Sequence, residues 1–415
     1  MKKKELLYYY VWLIIFFSFF IVLGLFFQPL DEFIEGFINI TLDSSILISD
    51  YLAIGGIGPT FVNAGLLPLI SLGFLYKMDM KPNGSIIMAL LLIFGFGFFG
   101  KNILNVWPLV IGVYLYSRKQ GVPFKNYITM SFLSTCLSPA VNQIFVLVPN
   151  GDFRINLILS IAGGVFLGFI MPPVISHCTR IHEGFILANT GFAAGFISII
   201  FVAVFKSFGF EMASKNVWSN EYTMELLFIL ITIFTITIFF GLVLNSDNKG
   251  LFWELSKESG RAVTDYFMLY GSSVPLINIG VIGMIYTVIT YVMTGALNGP
   301  FMAGILATAG FAAFGLNIRN ALPVTLGGIL AAHLNFGAQD PNYMMLIMLF
   351  GTSIAPFGGY FGAGWGLIAG FLHLVLTLNV GVINAGINLY NSGFVAGLVV
   401  IVLLPIASAL RNTIR

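Results

Sequence analysis

The sequence predicts an all-α polytopic membrane protein made of two inverted repeats of about seven membrane elements each, some of them broken or re-entrant. Composition, recurrent apolar runs and an internal duplication predict this fold. The chain is 58% hydrophobic and 9% charged, with a mean hydropathy of +0.96, whereas a soluble domain carries about 25% charged residues. The apolar runs recur from end to end, and runs of about 18 residues can cross the roughly 30 Å of bilayer hydrocarbon.

The duplication is clearest between two stretches that lie 215 residues apart. Residues 95–112 read GFGFFGKNILNVWPLVIG, residues 310–327 read GFAAFGLNIRNALPVTLG, and an ungapped alignment matches nine of 18 positions. Two asparagines, one proline and three glycines are among the matches, and apolar composition alone would not align them. The chain therefore contains a duplicated membrane unit with polar, breakable segments at matching places.

The similarity extends over most of both halves. Asp50/Asp265, Asn63/Asn278 and Asn83/Asn298 match at the same spacing, and residues 184–195 match residues 386–397 at seven of 12 positions. The sequence thus predicts a first membrane repeat at 1–223 and a second at 224–415. Seven elements per repeat is an odd number, so the second copy enters the membrane upside down, as in transporters built from inverted repeats.

The apolar runs predict about 14 membrane elements in total. They are residues 6–27, 52–76, 83–100, 102–117, 126–149, 155–176 and 184–206, followed by 224–244, 266–292, 300–316, 320–335, 342–360, 363–379 and 385–408. With the first element read as an uncleaved span, this order places 15 of the 19 Lys and Arg residues on the cytoplasmic side. Both termini are then cytoplasmic. The exceptions, on the outer side, are Lys101, Arg154, Lys206 and Lys215.

The spacing Asn-x-x-Asn-x-x-Pro, which occurs in both copies, supplies the main candidates for a solute path. Asparagines three residues apart share a helix face, and a helical proline removes a backbone donor and frees the carbonyl four residues before it. We expect broken helices that present amides and, in the first copy, the loose carbonyl of Leu104. Irregular backbone survives in lipid only where it is buried or lines a cavity. The candidates are Asn102, Asn105 and Pro108 in the first copy and Asn317, Asn320 and Pro323 in the second.

Further candidates occur at matching positions or inside apolar elements. They are Asn189 and Asn391, near the starts of their elements; Asn63 and Asn278, each two residues before a glycine; Thr352, beside a predicted break; and His373. Buried Asn, Gly, Pro and His also serve as packing and hydrogen-bonding residues in membrane proteins. Both interpretations of these residues remain open at this point.

Several absences narrow the function. No Asp or Glu falls in the middle of a predicted element, although proton-driven pumps usually keep a carboxylate in the membrane. The sequence has no Walker motif, HExxH pair or nucleophile elbow, which predicts that the protein is not an enzyme. No cofactor, metal site or nucleic-acid partner is predicted, and Cys136 and Cys178 are expected to be free thiols. The expected partners are a small-molecule solute and the lipid bilayer, and a homo-oligomer remains open.

Two resemblances add to this interpretation. The segments NLYNSGF (388–394), HLNFGAQDPNYMM (333–345) and GTSIAPFGG (351–359) resemble the domain-of-unknown-function 1576 family of bacterial membrane proteins. That resemblance implies a bacterial cytoplasmic membrane but no activity. GINLYNSGFVAGL (386–398) and TSIAPF (352–357) are similar to segments of urea transporters. The order of the two segments is reversed here, and that family has five elements per repeat.

The function predicted from the sequence is transport. We expect a transporter or channel-like facilitator for a small polar solute. A sodium-coupled secondary carrier is an alternative, because freed carbonyls with Asn and Thr can coordinate a cation. A membrane scaffold or assembly protein without a translocation path is another.

Overall fold

A computed structural model describes residues 3–146, 152–212, 215–244, 248–262, 264–334 and 340–413. These residues form α-helices joined by turns and short 3₁₀ segments, with isolated β-bridges in the part described. The ends of the predicted elements 126–149 and 320–335, together with Met1 and Arg415, lie outside the described residues.

Each half of the described chain has ten α-helices in the same order. The first half contains α1 (Lys3–Gly24), α2 (Leu30–Leu42), α3 (Tyr51–Gly55), α4 (Ile57–Lys77), α5 (Gly84–Phe96), α6 (Trp107–Lys119), α7 (Ile128–Ser134), α8 (Ser138–Val146), α9 (Phe153–Ile181) and α10 (Asn189–Ser207). The second half contains α11 (Thr223–Leu244), α12 (Asn248–Leu255), α13 (Tyr266–Tyr270), α14 (Ser273–Thr294), α15 (Gly299–Phe311), α16 (Ile318–His333), α17 (Pro341–Gly351), α18 (Ala355–Phe361), α19 (Ala363–Val380) and α20 (Asn391–Thr413).

Eight helical segments of the described residues are long and apolar enough to cross a membrane. They are α4, α9, α10, α11, α14, α19, α20 and the joined segment Pro341–Phe361; Tyr10–Gly24 of α1, α5 and α15 are apolar but shorter. The chain is thus a multi-pass helical membrane protein. The predicted total of about 14 membrane elements is not confirmed.

Equivalent helices pack in the same way within each half. α1 packs on α4 as α11 packs on α14, and α6 packs on α9 as α16 packs on α19. Glycines allow α6 and α9, and likewise α16 and α19, to approach closely. A Cβ on Gly168 would lie 2.1 Å from the Leu109 carbonyl oxygen, and one on Gly370 would lie 2.0 Å from that of Val324. The duplication in sequence is therefore a duplication in packing.

The two halves meet through equivalent helices. α5 contacts α15, and α10 contacts α20. Gly95 near the end of α5 faces Ala303 early in α15, whereas Gly310 near the end of α15 faces Met88 early in α5. The pair α5 and α15 is therefore antiparallel. Every residue of α15, and every residue of α5 except Ser85, is buried.

Polar contacts between the halves are reciprocal as well. The Asp265 carboxylate accepts hydrogen bonds from the backbone N–H groups of Gly84 (3.0 Å) and Ser85 (3.3 Å) at the start of α5. The Asp50 carboxylate accepts one from Gly299 at the start of α15. A negative charge at a helix N-terminus is favourable. Each half thus caps the central short helix of the other.

One hydrophobic core contains buried residues from both halves. The boundary expected between 223 and 224 falls at the start of α11, but each half depends on helices and caps of the other. The repeats are therefore structural copies inside one unit, and neither has a separate main core.

Candidate functional site

The first candidate site is the turn that follows α15. The Asn317 side chain caps α16: its Oδ1 accepts hydrogen bonds from the N–H groups of Arg319 and Asn320, both at 3.1 Å. The Asn320 Oδ1 accepts one from the Asn317 N–H at 2.9 Å, which completes a capping box. Its Nδ2 donates to the carbonyls of Gly315 (2.9 Å) and Ser259 (3.1 Å). These amides thus satisfy backbone groups at a helix break.

The equivalent turn after α5 repeats this arrangement. Asn102 Oδ1 accepts from the N–H groups of Leu104 and Asn105, both at 3.0 Å, and Asn105 Oδ1 accepts from the Asn102 N–H at 2.9 Å. Asn105 Nδ2 donates to the Gly100 carbonyl at 3.1 Å. All four asparagines of the two turns are buried.

The two prolines of the motif occupy different positions, and one expectation is corrected here. Pro323 lies inside α16, but Pro108 lies in the first turn of α6, which begins at Trp107. A proline is tolerated in a first turn because the N–H groups there have no partner within the helix. Pro108 therefore does not kink a helix or free the carbonyl of Leu104.

Asn63 and Asn278 fasten the same turns from the preceding long helices. Asn63 Nδ2 donates to the carbonyls of Gly97 (2.8 Å) and Lys101 (2.9 Å). Asn278 Nδ2 donates to the equivalent carbonyls of Ala312 and Leu316, both at 2.8 Å. The structure thus brings together the candidates on α4, α14 and the two turns as one amide cluster per half.

Asn189 and Asn391 lie apart from these clusters, at the starts of α10 and α20. Asn189 Oδ1 bonds His182 Nε2 at 2.8 Å, and Asn391 Oδ1 accepts from Asn384 Nδ2 at 2.5 Å. His182 Nδ1 accepts from the Gly184 N–H at 3.2 Å, so Nε2 carries the proton. Burial lowers the pKa of this imidazole, while the bond to Asn189 opposes the lowering.

The last two candidates are each bonded to backbone. Thr352 Oγ1 donates to the Leu349 carbonyl at 2.7 Å, in the 3₁₀ turn Thr352–Ile354 between α17 and α18. His373 of α19 contacts the Ser392 carbonyl through Nε2 at 2.9 Å, where α20 begins. Both side chains are buried.

Sequence reasoning missed a buried lysine. Lys101 was expected on the outer surface, but its side chain is fully buried at the turn after α5. Its Nζ bonds the Tyr390 hydroxyl at 2.7 Å and lies 4.7 Å and 5.2 Å from the ring centroids of Tyr390 and Phe96. The repeat alignment contains a signal for this burial, because the position equivalent to Lys101 is the apolar Leu316. The position equivalent to Tyr390 is Ala188.

An apolar groove of about 700 Å³ lies between α1 and α11. Its walls include Phe16, Phe19, Ile233 and Ile236, and Ile87 of α5 also lines it. None of the predicted path residues lines this groove. Both cysteines are free and buried, and the described residues contain no group of three or more His, Cys, Asp or Glu side chains that could hold a metal ion.

Comparison with known proteins places the chain in a family. No curated protein matches it, and no solved structure matches it, so the short similarities to urea transporters gain no support. The model of one family matches residues 30–207 and 245–409, which together cover most of both repeats. The chain therefore belongs to the DUF1576 family, described as a protein of unknown function.

Proposed function

We propose that this protein is a transporter or channel-like facilitator for a small polar solute in a bacterial cytoplasmic membrane. The pair of short helices α5 and α15 carries the proposal. Each has 13 residues and is about 20 Å long at 1.5 Å per residue, which is less than the roughly 30 Å of hydrocarbon. Each ends in non-helical backbone inside the protein. Discontinuous helices of this kind form the solute sites of many transporters.

The antiparallel contact between α5 and α15 supports inverted repeats. A two-fold axis that relates two antiparallel helices runs perpendicular to them. If these helices stand along the bilayer normal, the axis lies in the membrane plane, and the second repeat has the opposite orientation. The proposal places both termini in the cytoplasm and includes no catalytic activity.

The path candidates have a defined place in this proposal. In the structure, the amides of the two turns are bonded to backbone carbonyls and N–H groups. We propose that Asn102, Asn105, Asn317 and Asn320 exchange some of these partners for the solute when the turns open. Polar groups that face a dehydrated solute replace its bonds to water, and an unpaired buried group costs about 1–3 kcal/mol.

The test compares Asn105→Leu and Asn320→Leu with the wild-type protein in liposomes. We expect solute flux per folded molecule to fall about tenfold, since about 1.4 kcal/mol of lost binding is a factor of ten. We also expect a lower melting temperature in detergent, because the carbonyl oxygens of Gly100 and Gly315 each lose a hydrogen-bond donor. Asn379→Leu is the matched control, because Asn379 is exposed and bonds only the Val375 carbonyl of its own helix in the described part of the chain.

The outcomes separate the alternatives. Normal flux per folded molecule with a lower melting temperature would refute the path assignment and leave the amides a purely structural role. Flux that requires a sodium gradient would favour the sodium-coupled carrier. Absence of flux for every small polar solute offered would favour a scaffold or assembly protein.

A further inference from the structure

The buried pair Lys101–Tyr390 connects the two halves of the molecule. Lys101 follows α5 in the first half, and Tyr390 lies immediately before α20 in the second, 289 residues later. The neighbouring backbone is also fixed across the halves: the Leu389 N–H donates to the Cys136 carbonyl at 3.0 Å. Any movement that separates the turn after α5 from the start of α20 therefore breaks the Lys101–Tyr390 bond.

Among the described residues, no acidic side chain faces the amine. The titratable groups that face it within the described residues are Tyr390 and the Cys136 thiol, on the 3₁₀ turn between α7 and α8. α5 contributes the Phe96 ring, and α4 contributes the Asn63 amide on the Lys101 carbonyl. Both ion pairs of the described residues, Lys215–Asp43 and Arg261–Glu183, are formed by other side chains.

The shared architecture does not require this lysine. The equivalent position in the second half is Leu316, which is also fully buried, and the equivalents of Tyr390 and Cys136 are Ala188 and Ser353. Burying an uncompensated ammonium is very costly, and ionisable residues inside membrane proteins usually belong to the path of a solute or proton. An apolar side chain suits the fold here, so the lysine points to function.

We propose that Lys101 and Tyr390 form a site where one proton and one small anion bind together, so that the protein is a proton–anion symporter. This inference rests on the proposed transport function and names its substrate class. A protonated lysine has three N–H donors; Tyr390 accepts one, and the others are available to an anion. The bound anion supplies the negative charge that the described residues around the amine lack.

Charge compensation explains the coupling. In the closed, empty protein the amine is neutral and its lone pair accepts a hydrogen bond from the Tyr390 hydroxyl, which keeps its proton, so the site closes without a buried net charge. When the site opens to one side, the Nζ lone pair takes a proton from water and the ammonium binds the anion. The site then closes over the neutral ammonium–anion pair and opens on the other side, where the anion and the proton on Nζ are released and the amine becomes neutral again. A protonated site without an anion does not close, because its charge would be buried alone.

The test measures melting temperature in detergent and does not depend on transport. The salts are potassium formate, acetate, chloride and nitrate at constant ionic strength, balanced with potassium gluconate. We expect at least one small anion to stabilise the wild-type protein, with at least tenfold tighter apparent binding at pH 6 than at pH 8. Ligands that bind only the folded state raise its melting temperature.

Two variants test the residues. Lys101→Leu installs the residue of the second half, so it is expected to fold and to lose the anion-dependent stabilisation at both pH values. Tyr390→Phe keeps the ring and removes one hydroxyl, and it is expected to weaken apparent anion binding at least tenfold. Lys81→Leu, at an exposed position, is the control for loss of a positive charge and should behave as the wild-type protein does.

The proposal would be overturned if the anions stabilised Lys101→Leu as much as they stabilise the wild-type protein. It would also be overturned if none of the four anions stabilised the wild-type protein. Other results would count against the proposed transport function. Anion binding that depends on Lys101, together with no anion flux into liposomes, would keep the binding site and exclude transport. Flux of a neutral solute that is unchanged in Lys101→Leu would keep transport and exclude the symport.

Discussion

The two halves of the molecule agree where they build the fold and differ where one of them buries a lysine. In both halves, two asparagines of the turn after the short central helix bond each other's backbone N–H groups. In both, an asparagine of the preceding long helix, Asn63 or Asn278, donates to carbonyls of that turn. Only the first half places a lysine there, and the second half has Leu316. The comparison teaches that the amides are part of the fold that both copies share, whereas Lys101 serves a function that the protein needs only once.

The largest expected effect concerns the orientation of the halves. Asp79 lies in the connection from α4 to α5, and its equivalent Thr294 is the last residue of α14, where the connection to α15 begins. In inverted repeats these connections lie on opposite sides of the membrane. We expect a membrane-impermeant maleimide applied to intact cells to label the Thr294→Cys variant and not the Asp79→Cys variant.

The chain offers a low background for this labelling, because Cys136 and Cys178 are both buried. Labelling after detergent solubilisation is the control, and both variants should then react. Equal labelling of the two variants in intact cells would break the comparison, since it would place equivalent connections on the same side.

A smaller but still large effect is expected at the glycine contacts between helices. A Cβ on Gly370 would lie 2.0 Å from the Val324 carbonyl oxygen, and this rigid backbone atom cannot move aside cheaply. Overpacking of this kind costs about 1–3 kcal/mol or more. We expect Gly370→Ala to lower the melting temperature in detergent, and Gly168→Ala to do the same in the first half.

Gly364 supplies the matched control in the same helix, α19. It is exposed, and a Cβ there would have no neighbour within 4 Å. Alanine is favoured over glycine in helices by about 0.8–1.0 kcal/mol, so Gly364→Ala should leave the melting temperature unchanged or raise it. A similar decrease for all three variants would show that loss of glycine itself, rather than the helix contact, is responsible.

Local sequence patterns predicted the helical membrane class, the duplication and the places where helices break. They did not predict the different positions of Pro108 and Pro323. That difference depends on where each helix begins: Asn317 caps α16 directly, whereas α6 begins only at Trp107. The same aligned residue therefore lies in a first turn in one half and inside a helix in the other.

The burial of Lys101 could not be read from local sequence for a different reason. A lysine beside an apolar run normally marks a membrane boundary, and the residues around Lys101 fit that pattern. Its burial results from packing against Tyr390, Phe96 and Cys136, two of which are far away in sequence. Comparing the two repeats position by position identifies it, because equivalent positions share an environment and Leu316 shows that this environment is apolar.

The smallest expected effect concerns His182, which stands where the second half has Asn384. Both side chains bond the asparagine that begins the next long helix, at His182–Asn189 and Asn384–Asn391. His182→Asn should therefore keep the bond and lower the free energy of unfolding by about 1 kcal/mol or less, the net value of one hydrogen bond. His182→Leu leaves the Asn189 oxygen without this partner and should cost more, about 1–3 kcal/mol.

The pH dependence of stability distinguishes the loss of a titrating histidine in His182→Asn from a general loss of packing. Because burial lowers the pKa of His182 in the folded protein, the unfolded chain binds its proton more readily, and wild-type stability falls as the pH drops below about 6.5. His182→Asn cannot take up that proton. The variant should thus lose less stability than the wild-type protein between pH 7.5 and pH 5.5, in melting experiments that use the same detergent. Parallel pH profiles for the two proteins would contradict this prediction, because they would show that the pKa of His182 is the same in the folded and the unfolded protein.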